Sequence, residues 1–156
     1  MADIVLRTDG SVFDVRSAGF LVRDGKILVQ REKDGDEYAL PGGHVQMGET
    51  TANALVREYQ EETGADIRCE RLLWTEECFW EWNGCKHHNL TYYYLIALNG
   101  GSDIPDDGVF VPHRDNSSVV IGWMPIDRLS DIVIYPEFLK RTIYELDGPP
   151  AHFITR

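Results

Sequence analysis

Basic residues are scarce in this chain. Fifteen Lys and Arg stand against 26 Asp and Glu, giving a formal net charge of -11. Nucleic-acid polymers and anionic membranes are held largely by cationic surface, so neither is an expected partner. A phosphate compound stays within reach if a metal ion or a local arginine cluster reverses the sign at one place. Cysteine is scarce as well. Cys69, Cys78 and Cys85 are odd in number and form no CxxC pair, which points to idle thiols in a reducing cytoplasm rather than a disulfide framework. No stretch approaches the roughly 18 apolar residues of a membrane span; the longest run, residues 92–98, has strand length. The opening MADIVLRTDG lacks a basic segment followed by an apolar one, so no signal peptide is expected and a cytoplasmic location is. Repeats, low-complexity tracts and long linkers are missing too, so residues 1–156 are expected to form a single domain.

What is present reads as a mixed α/β domain. Residues 18–22 and 27–30 are β-rich and flank Asp24-Gly25, the signature of a tight hairpin. Residues 38–40 form a short strand stopped by Pro41-Gly42-Gly43. From Thr50 the pattern turns helical to about Glu62, with Thr50 as N-cap and Gly64 as the stop. Strand-like runs follow at residues 67–74, 77–82, 89–98 and 118–124, with Asn83-Gly84 closing a hairpin. Residues 100–116 read as a long loop. A second helix is expected from Pro136 to about Leu146, with Phe138, Leu139, Thr142, Ile143 and Leu146 facing the core. The tail beyond Gly148-Pro149-Pro150 reads as loosely held.

The first helix carries the chemistry. At about 100° per residue, Glu61 lies about 60° to one side of Glu58 and Glu62 about 40° to the other. Ala52, Leu55, Val56 and Tyr59 fall on a separate, inward stripe. Like charges three and four residues apart repel, and they stand near the helix C-terminus, where the dipole disfavours anions. A bound divalent cation would supply the missing charge. Carboxylate oxygens favour Mg²⁺ or Mn²⁺ over Zn²⁺. A solvated acidic face explains the same three glutamates, and the helix geometry leaves both readings open.

The segment 43–65, GHVQMGETTANALVREYQEETGA, resembles the Nudix hydrolase signature, Gx5Ex7REUxEExGU with U a bulky aliphatic. Gly43, Glu49, Arg57, Glu58, Glu61, Glu62 and Gly64 all match. Tyr59 and Ala65 depart from the bulky-aliphatic positions, which concerns packing more than chemistry. The resemblance implies the Nudix α/β/α sandwich, a mixed β-sheet between helices. It implies hydrolysis of a phosphoanhydride in a nucleoside diphosphate linked to another moiety, with Mg²⁺ or Mn²⁺ as cofactor. Glu58 and Glu62 would be the main metal ligands, Glu61 a further ligand, and the Gly42 carbonyl another candidate. Glu61 or Glu62 would also orient or deprotonate the attacking water. Arg57 lies about 100° off the acidic face; in the family it pairs with the glutamate that Glu49 matches, pinning the loop to the helix. Homodimers are frequent in the family, but nothing in the sequence places an interface.

Substrate choice is less legible. Family marks for ADP-ribose, dinucleoside polyphosphate, coenzyme A and NADH substrates are each missing. Arg23 and Arg31 (with Lys33) are candidates for holding substrate phosphates, against a solvated strand face. Phe79, Trp80 and Trp82 form either a stacking wall for a base or ordinary strand alternation into a core or dimer contact, the latter preferred. Cys78, Cys85, His87 and His88 match no usual zinc spacing, and the histidines read as a polar strand end. Asp103, Asp106, Asp107 and Asp115 are candidates for one further ligand or base from the loop, and Tyr135 for closing over substrate. Two rivals to hydrolysis remain: an inactive Nudix domain serving as a nucleotide-binding sensor, and isomerisation of a prenyl diphosphate. The intact glutamates weigh against the first. The second needs an acid–base pair that the cysteines do not show.

Overall fold

Strand β4 (Lys26–Glu32) shows how the chain is layered. Its alternate residues serve two different cores. Ile27 and Val29 join one apolar cluster with Phe20, Trp74, Phe138 and Leu139. Leu28 points the other way, into a second cluster with Leu55, Tyr59, Ile67 and Ile96. A strand buried on both faces must have a layer on each side.

The computed structural model describes residues 1–102 and 104–156. In chain order the remaining strands are β1 (Val5–Thr8), β2 (Ser11–Phe20), β3 (Val22–Arg23), β5 (Glu37–Ala39), β6 (Gly42–His44), β7 (Ile67–Trp82), β8 (Cys85–Leu98), β9 (Val111–Pro112), β10 (Val119–Pro125), β11 (Val133–Tyr135) and β12 (Ala151–Thr155). The helices are α1 (Thr51–Thr63) and α2 (Leu139–Thr142), with a 3₁₀ segment at Ile126–Asp131. Among the described residues one sheet runs β1-β2-β8-β7-β12 with β6 on β2, and a second runs β11-β5-β4-β10-β9 with β3 on β4. Both are mixed: β2 pairs parallel with β8 and antiparallel with β6, while β11 pairs parallel with β5. The α/β architecture with mixed sheets matches the fold expected from sequence.

Helix α1 covers the second cluster through Leu55 and Tyr59, both fully buried. The phenol of Tyr59 lies over Gly19, where any side chain would collide with it and with Ile96. A tyrosine therefore fits where the signature has an aliphatic, because the strand beneath carries no Cβ. Thr50 caps the helix, its hydroxyl accepting from the Asn53 N–H at 3.1 Å. Gly64 ends it at φ +67°.

Four sequence expectations need correction. The run expected at residues 18–22 is divided between β2, which starts at Ser11 and follows β1, and the short β3. The runs at 67–74 and 77–82 are one strand, β7, with irregularities between Cys69 and Arg71 and between Leu72 and Trp74. It passes through polar Thr75 and Glu76 because Glu76 is satisfied by Tyr93 and Thr155. The second helix is a single turn, although Phe138, Leu139 and Ile143 do face the core as expected. The tail is not loose: β12 pairs in parallel with β7 from Ala151↔Trp74 to Thr155↔Cys78. Backbone pairing to a long strand orders a segment that composition alone reads as a frayed end.

Candidate active site

The glycine turn, the loop and helix α1 meet around one arginine. Arg57 donates from Nη2 to Glu49 Oε1 at 2.7 Å and from Nε to Glu49 Oε2 at 3.3 Å. Nη2 also donates to the His44 carbonyl at 2.9 Å. Glu49 in turn accepts from the Gln46 N–H at 2.7 Å. A planar fork gripping a carboxylate and a backbone carbonyl fixes the loop against the helix. The arginine holds the Glu49 carboxyl below the usual carboxylate range. The same guanidinium reaches round to the acidic face. Its Nη1 donates to Glu58 Oε1 at 2.7 Å and to Glu61 Oε2 at 3.3 Å.

Gly43 admits the Glu58 carboxylate. A Cβ at that position would overlap the carboxyl group itself, so glycine here is a requirement of close approach rather than of turn conformation alone. Gly42, one residue earlier, packs as tightly against the Ser17 carbonyl across the β2–β6 pairing. Burial raises the Glu58 carboxyl despite Arg57.

Glu62 sits deepest. It is 9% exposed, and its Oε2 is buried with no hydrogen-bond partner. Burial first, then the charges of Glu58 and Asp115, push its carboxyl up to about 8. Glu61 stands at the mouth, half exposed. One guanidinium thus serves Glu49, Glu58 and Glu61, while Glu62, the most buried of the three helix glutamates, has no arginine or lysine ion pair among the described residues. An orphaned buried carboxylate oxygen beside two further carboxylates is a donor set that fits a hard divalent cation. Glu58, Glu61 and Glu62 could hold one.

A cavity of about 620 Å³ opens alongside, lined among others by Arg16, Gly42, Glu76, Trp80, Tyr93 and Thr155. Arg16 Nη1 contacts His44 Nε2 at 3.2 Å, and its charge offsets part of the negative potential at Glu58 and Glu62. In the same row of the sheet, across Thr91, Glu76 is buried, accepting from Tyr93 Oη at 2.8 Å and from Thr155 Oγ1 at 2.6 Å.

The structure brings together Glu49, Arg57, Glu58, Glu61, Glu62 and Gly42. It places Arg23, Arg31 and Trp82 away from this cavity. Arg23 lies over the Trp123 ring and pairs with Asp107 at 3.7 Å. Arg31 donates to the carbonyls of Glu32, Lys33 and Gly35. Trp82 is 65% exposed at the tip of the β7–β8 hairpin. Of the three candidate aromatics Phe79, Trp80 and Trp82, the first two line the cavity, where the core-facing or dimer-contact reading was preferred from sequence. His88 stacks on Phe79 and His87 on Trp80, at the third and fourth positions of β8 near its hairpin end. Tyr135 lines the cavity as well. Of the loop aspartates, Asp115 lies near Glu62, Asp107 pairs with Arg23 and Lys26, and Asp103 lies outside the described residues.

Sequence reasoning missed Arg16, Glu76 and His113. Arg16 and Glu76 stand on strands whose register decides which face they line. His113 is distant in sequence from the helix it packs against. Nothing short of the fold reveals that proximity.

Strand, glycine turn, pinned loop and acid-faced helix together define a carboxylate-rich site of one recognisable kind. A family model described as NUDIX domain matches residues 14–144. The chain belongs to that family. The MutT-like protein of Streptomyces ambofaciens is 36% identical over 146 residues, 93% of this chain and 84% of that protein. The putative mutator protein MutT4 of Mycobacterium tuberculosis is 27% identical over 124 residues, 73% of this chain. That match spans only 46% of the MutT4 protein's length. Among solved structures, an ADP-ribose pyrophosphatase from Streptococcus suis superposes with a TM-score of 0.60 at 20% identity, covering 90% of this chain and 98% of that one.

Proposed function

We propose that this protein is a divalent-metal-dependent hydrolase of a phosphoanhydride bond in a nucleoside diphosphate linked to a second moiety. The observation that carries the reading is three carboxylates on one helix face, Glu58 and Glu61 sharing Arg57 and Glu62 keeping a buried oxygen without a hydrogen bond, next to a cavity of nucleotide size that Arg16 and Gly42 line. Family membership and the pyrophosphatase among its structural neighbours support it. ADP-ribose and nucleotide sugars are therefore the first compounds to test.

In this reading Glu58, Glu62 and the Gly42 carbonyl hold the ion, with Glu61 as a further ligand. The bound ion, Mg²⁺ or Mn²⁺, would neutralise the phosphate oxygens and acidify a water. The chain's own residues do the rest. Arg57 fixes Glu58 and Glu61 from one side and the loop from the other, so the acidic face needs no rearrangement on binding. Glu61 has one oxygen on Arg57 and offers the other to the proton of the attacking water. Water oxygen bonds to one phosphorus as the bridging P–O bond breaks, and the second phosphate leaves with the bridging oxygen. Arg16 faces the substrate phosphates from the cavity side, and Trp80 and Phe79 give the organic moiety an apolar wall. Residues 1–156 act as one domain, since β1 and β12, from opposite ends of the chain, lie in the same sheet.

The test is a panel of nucleotide sugars, ADP-ribose, nucleoside triphosphates and dinucleoside polyphosphates, run with Mg²⁺, with Mn²⁺ and with chelator. Products are resolved by chromatography. Activity should vanish with chelator and fall about 10²–10⁴-fold in Glu58→Gln and Glu62→Gln. Near-wild-type rates in both variants would sink the assignment.

A further inference from the structure

The last turn of α1 is tied to the segment after β9, and this brings a histidine to Glu62. Arg114 N–H donates to the Glu62 carbonyl at 2.9 Å, and His113 N–H to the Val119 carbonyl at 3.0 Å. Gly64 leaves room for the Arg114 guanidinium, which any Cβ there would overlap. The consequence is a fixed position for the His113 imidazole. Its side chain is 3% exposed. Nδ1 stands 3.8 Å from Glu62 Oε1 and 4.0 Å from Asp115 Oδ1.

Neither separation is a hydrogen bond, for which about 2.7–3.2 Å is needed. Two buried polar side chains therefore face one another without bonding. Among the described residues Glu62 Oε2 has no hydrogen-bond partner, while His113 Nδ1 is turned toward the same carboxylate without reaching it. A buried carboxylate oxygen left unpaired costs free energy unless a ligand meets it. One ligand atom from each of Glu62, His113 and Asp115 falls within 4.8 Å of the others. Ligand bonds of about 2.0–2.2 Å place donors on a common ion roughly 3–4.3 Å apart. The spacing is that of a chelate slightly opened.

We propose that Glu62, His113 and Asp115 hold one divalent ion together, with the His113 imidazole as its nitrogen ligand, and that this position takes a first-row transition ion in preference to Mg²⁺. Imidazole suits ions such as Fe²⁺ and Zn²⁺, and Mn²⁺, though at home with carboxylates, binds above Mg²⁺ at a mixed N,O site, whereas Mg²⁺ demands oxygen donors and keeps its water. The inference rests on the reading of Glu62 as a metal ligand. It adds a ligand from outside the signature and a preference among ions.

The test uses the full chain freed of metal, titrated with Mn²⁺ or with Mg²⁺ and followed by calorimetry. Pulsed electron paramagnetic resonance of the Mn²⁺-loaded wild type is recorded for imidazole nitrogen coupling. The expected result is a nitrogen coupling in the wild type that disappears in His113→Gln. Mn²⁺ affinity should fall at least tenfold in that variant while Mg²⁺ affinity changes by less than about threefold. Mn²⁺ bound by the wild type and lost in Glu58→Gln, but with no nitrogen coupling, overturns this inference alone. Failure of the wild type to bind Mn²⁺ while it binds Mg²⁺ overturns this inference alone, and failure to bind either ion overturns the metal-dependent reading beneath it as well. The wild-type spectrum decides the matter even if His113→Gln folds poorly.

Discussion

Removing metal should make this protein lose stability as pH rises through neutrality, and Glu62 is the reason. Its carboxyl moves from 4.5 in an open chain to about 8 in the fold. Between those values the native state binds a proton that the unfolded state does not. Stability is then full below pH 4.5 and declines as pH rises toward 8, at up to 1.36 kcal/mol per pH unit. His113 acts in the opposite sense. Burial lowers its pKa from 6.5, so its penalty is felt in acid and relieved as pH rises to 6.5. The two oppose one another only between the lowered His113 value and pH 6.5; above it Glu62 dominates the decline, with Glu58, also raised by burial, acting in the same sense. From pH 6.5 to 8 the expected loss is about 2 kcal/mol, or roughly 4–8 °C in Tm for a chain of this size. Asp14 and Glu49 have lowered values, so their contribution is lost only as pH falls below about 4 and does not enter this window. The assay is thermal unfolding in chelator at pH 6.5, 7.25 and 8, for wild type and Glu62→Gln. The variant, neutral at every pH, should lose most of the decline. Saturating Mn²⁺ should restore the wild type most at pH 8. A wild-type Tm that is flat or rises between pH 6.5 and 8 would refute the reasoning, as would an equal decline in Glu62→Gln.

Three further outcomes follow from the geometry. Gly43→Ala forces the Glu58 carboxyl aside; metal affinity should fall at least about tenfold by calorimetry, with circular dichroism unchanged. Arg57→Ala leaves Glu49, Glu58 and the His44 carbonyl without their donor. It should cost about 2–4 kcal/mol in urea unfolding, and Arg57→Lys should recover less than half, since a single ammonium cannot replace the fork. Deleting residues 151–156 strips β12 from β7 and removes the Thr155 hydroxyl from Glu76. Tm should fall and KM rise more than kcat, because a cavity wall is lost while the acidic face is kept.

The acidic face and its pinning were legible because they are local. Helix periodicity places Glu58, Glu61 and Glu62 together, and short-range capping by Thr50 and Gly64 sets where that helix starts and stops. The resemblance to the family signature implied that Arg57 pairs with Glu49, and the two side chains are in bidentate contact. The parts that were not legible depend on partners far along the chain. Residues 151–156 look like a frayed end until β7 supplies their pairing partner. Thr75 and Glu76 look like a strand break until Tyr93 and Thr155 satisfy the carboxylate. The cationic wall was sought at Arg23 and Arg31, yet the fold puts Arg16 there, because register on a strand decides the face and a single-residue step inverts it.

From the sequence alone came the helix, its three glutamates, the glycines that let the backbone approach them, and membership of a family with a defined architecture. These follow from interactions within a few residues, where spacing is itself geometry. Tertiary structure alone decided that Glu62 is buried with no arginine or lysine ion pair among the described residues, that His113 and Asp115 face it, and that the C-terminal strand walls the cavity. Those features arise where segments far apart in sequence are packed into contact, and burial, which sets their charge states, exists only once that packing is complete.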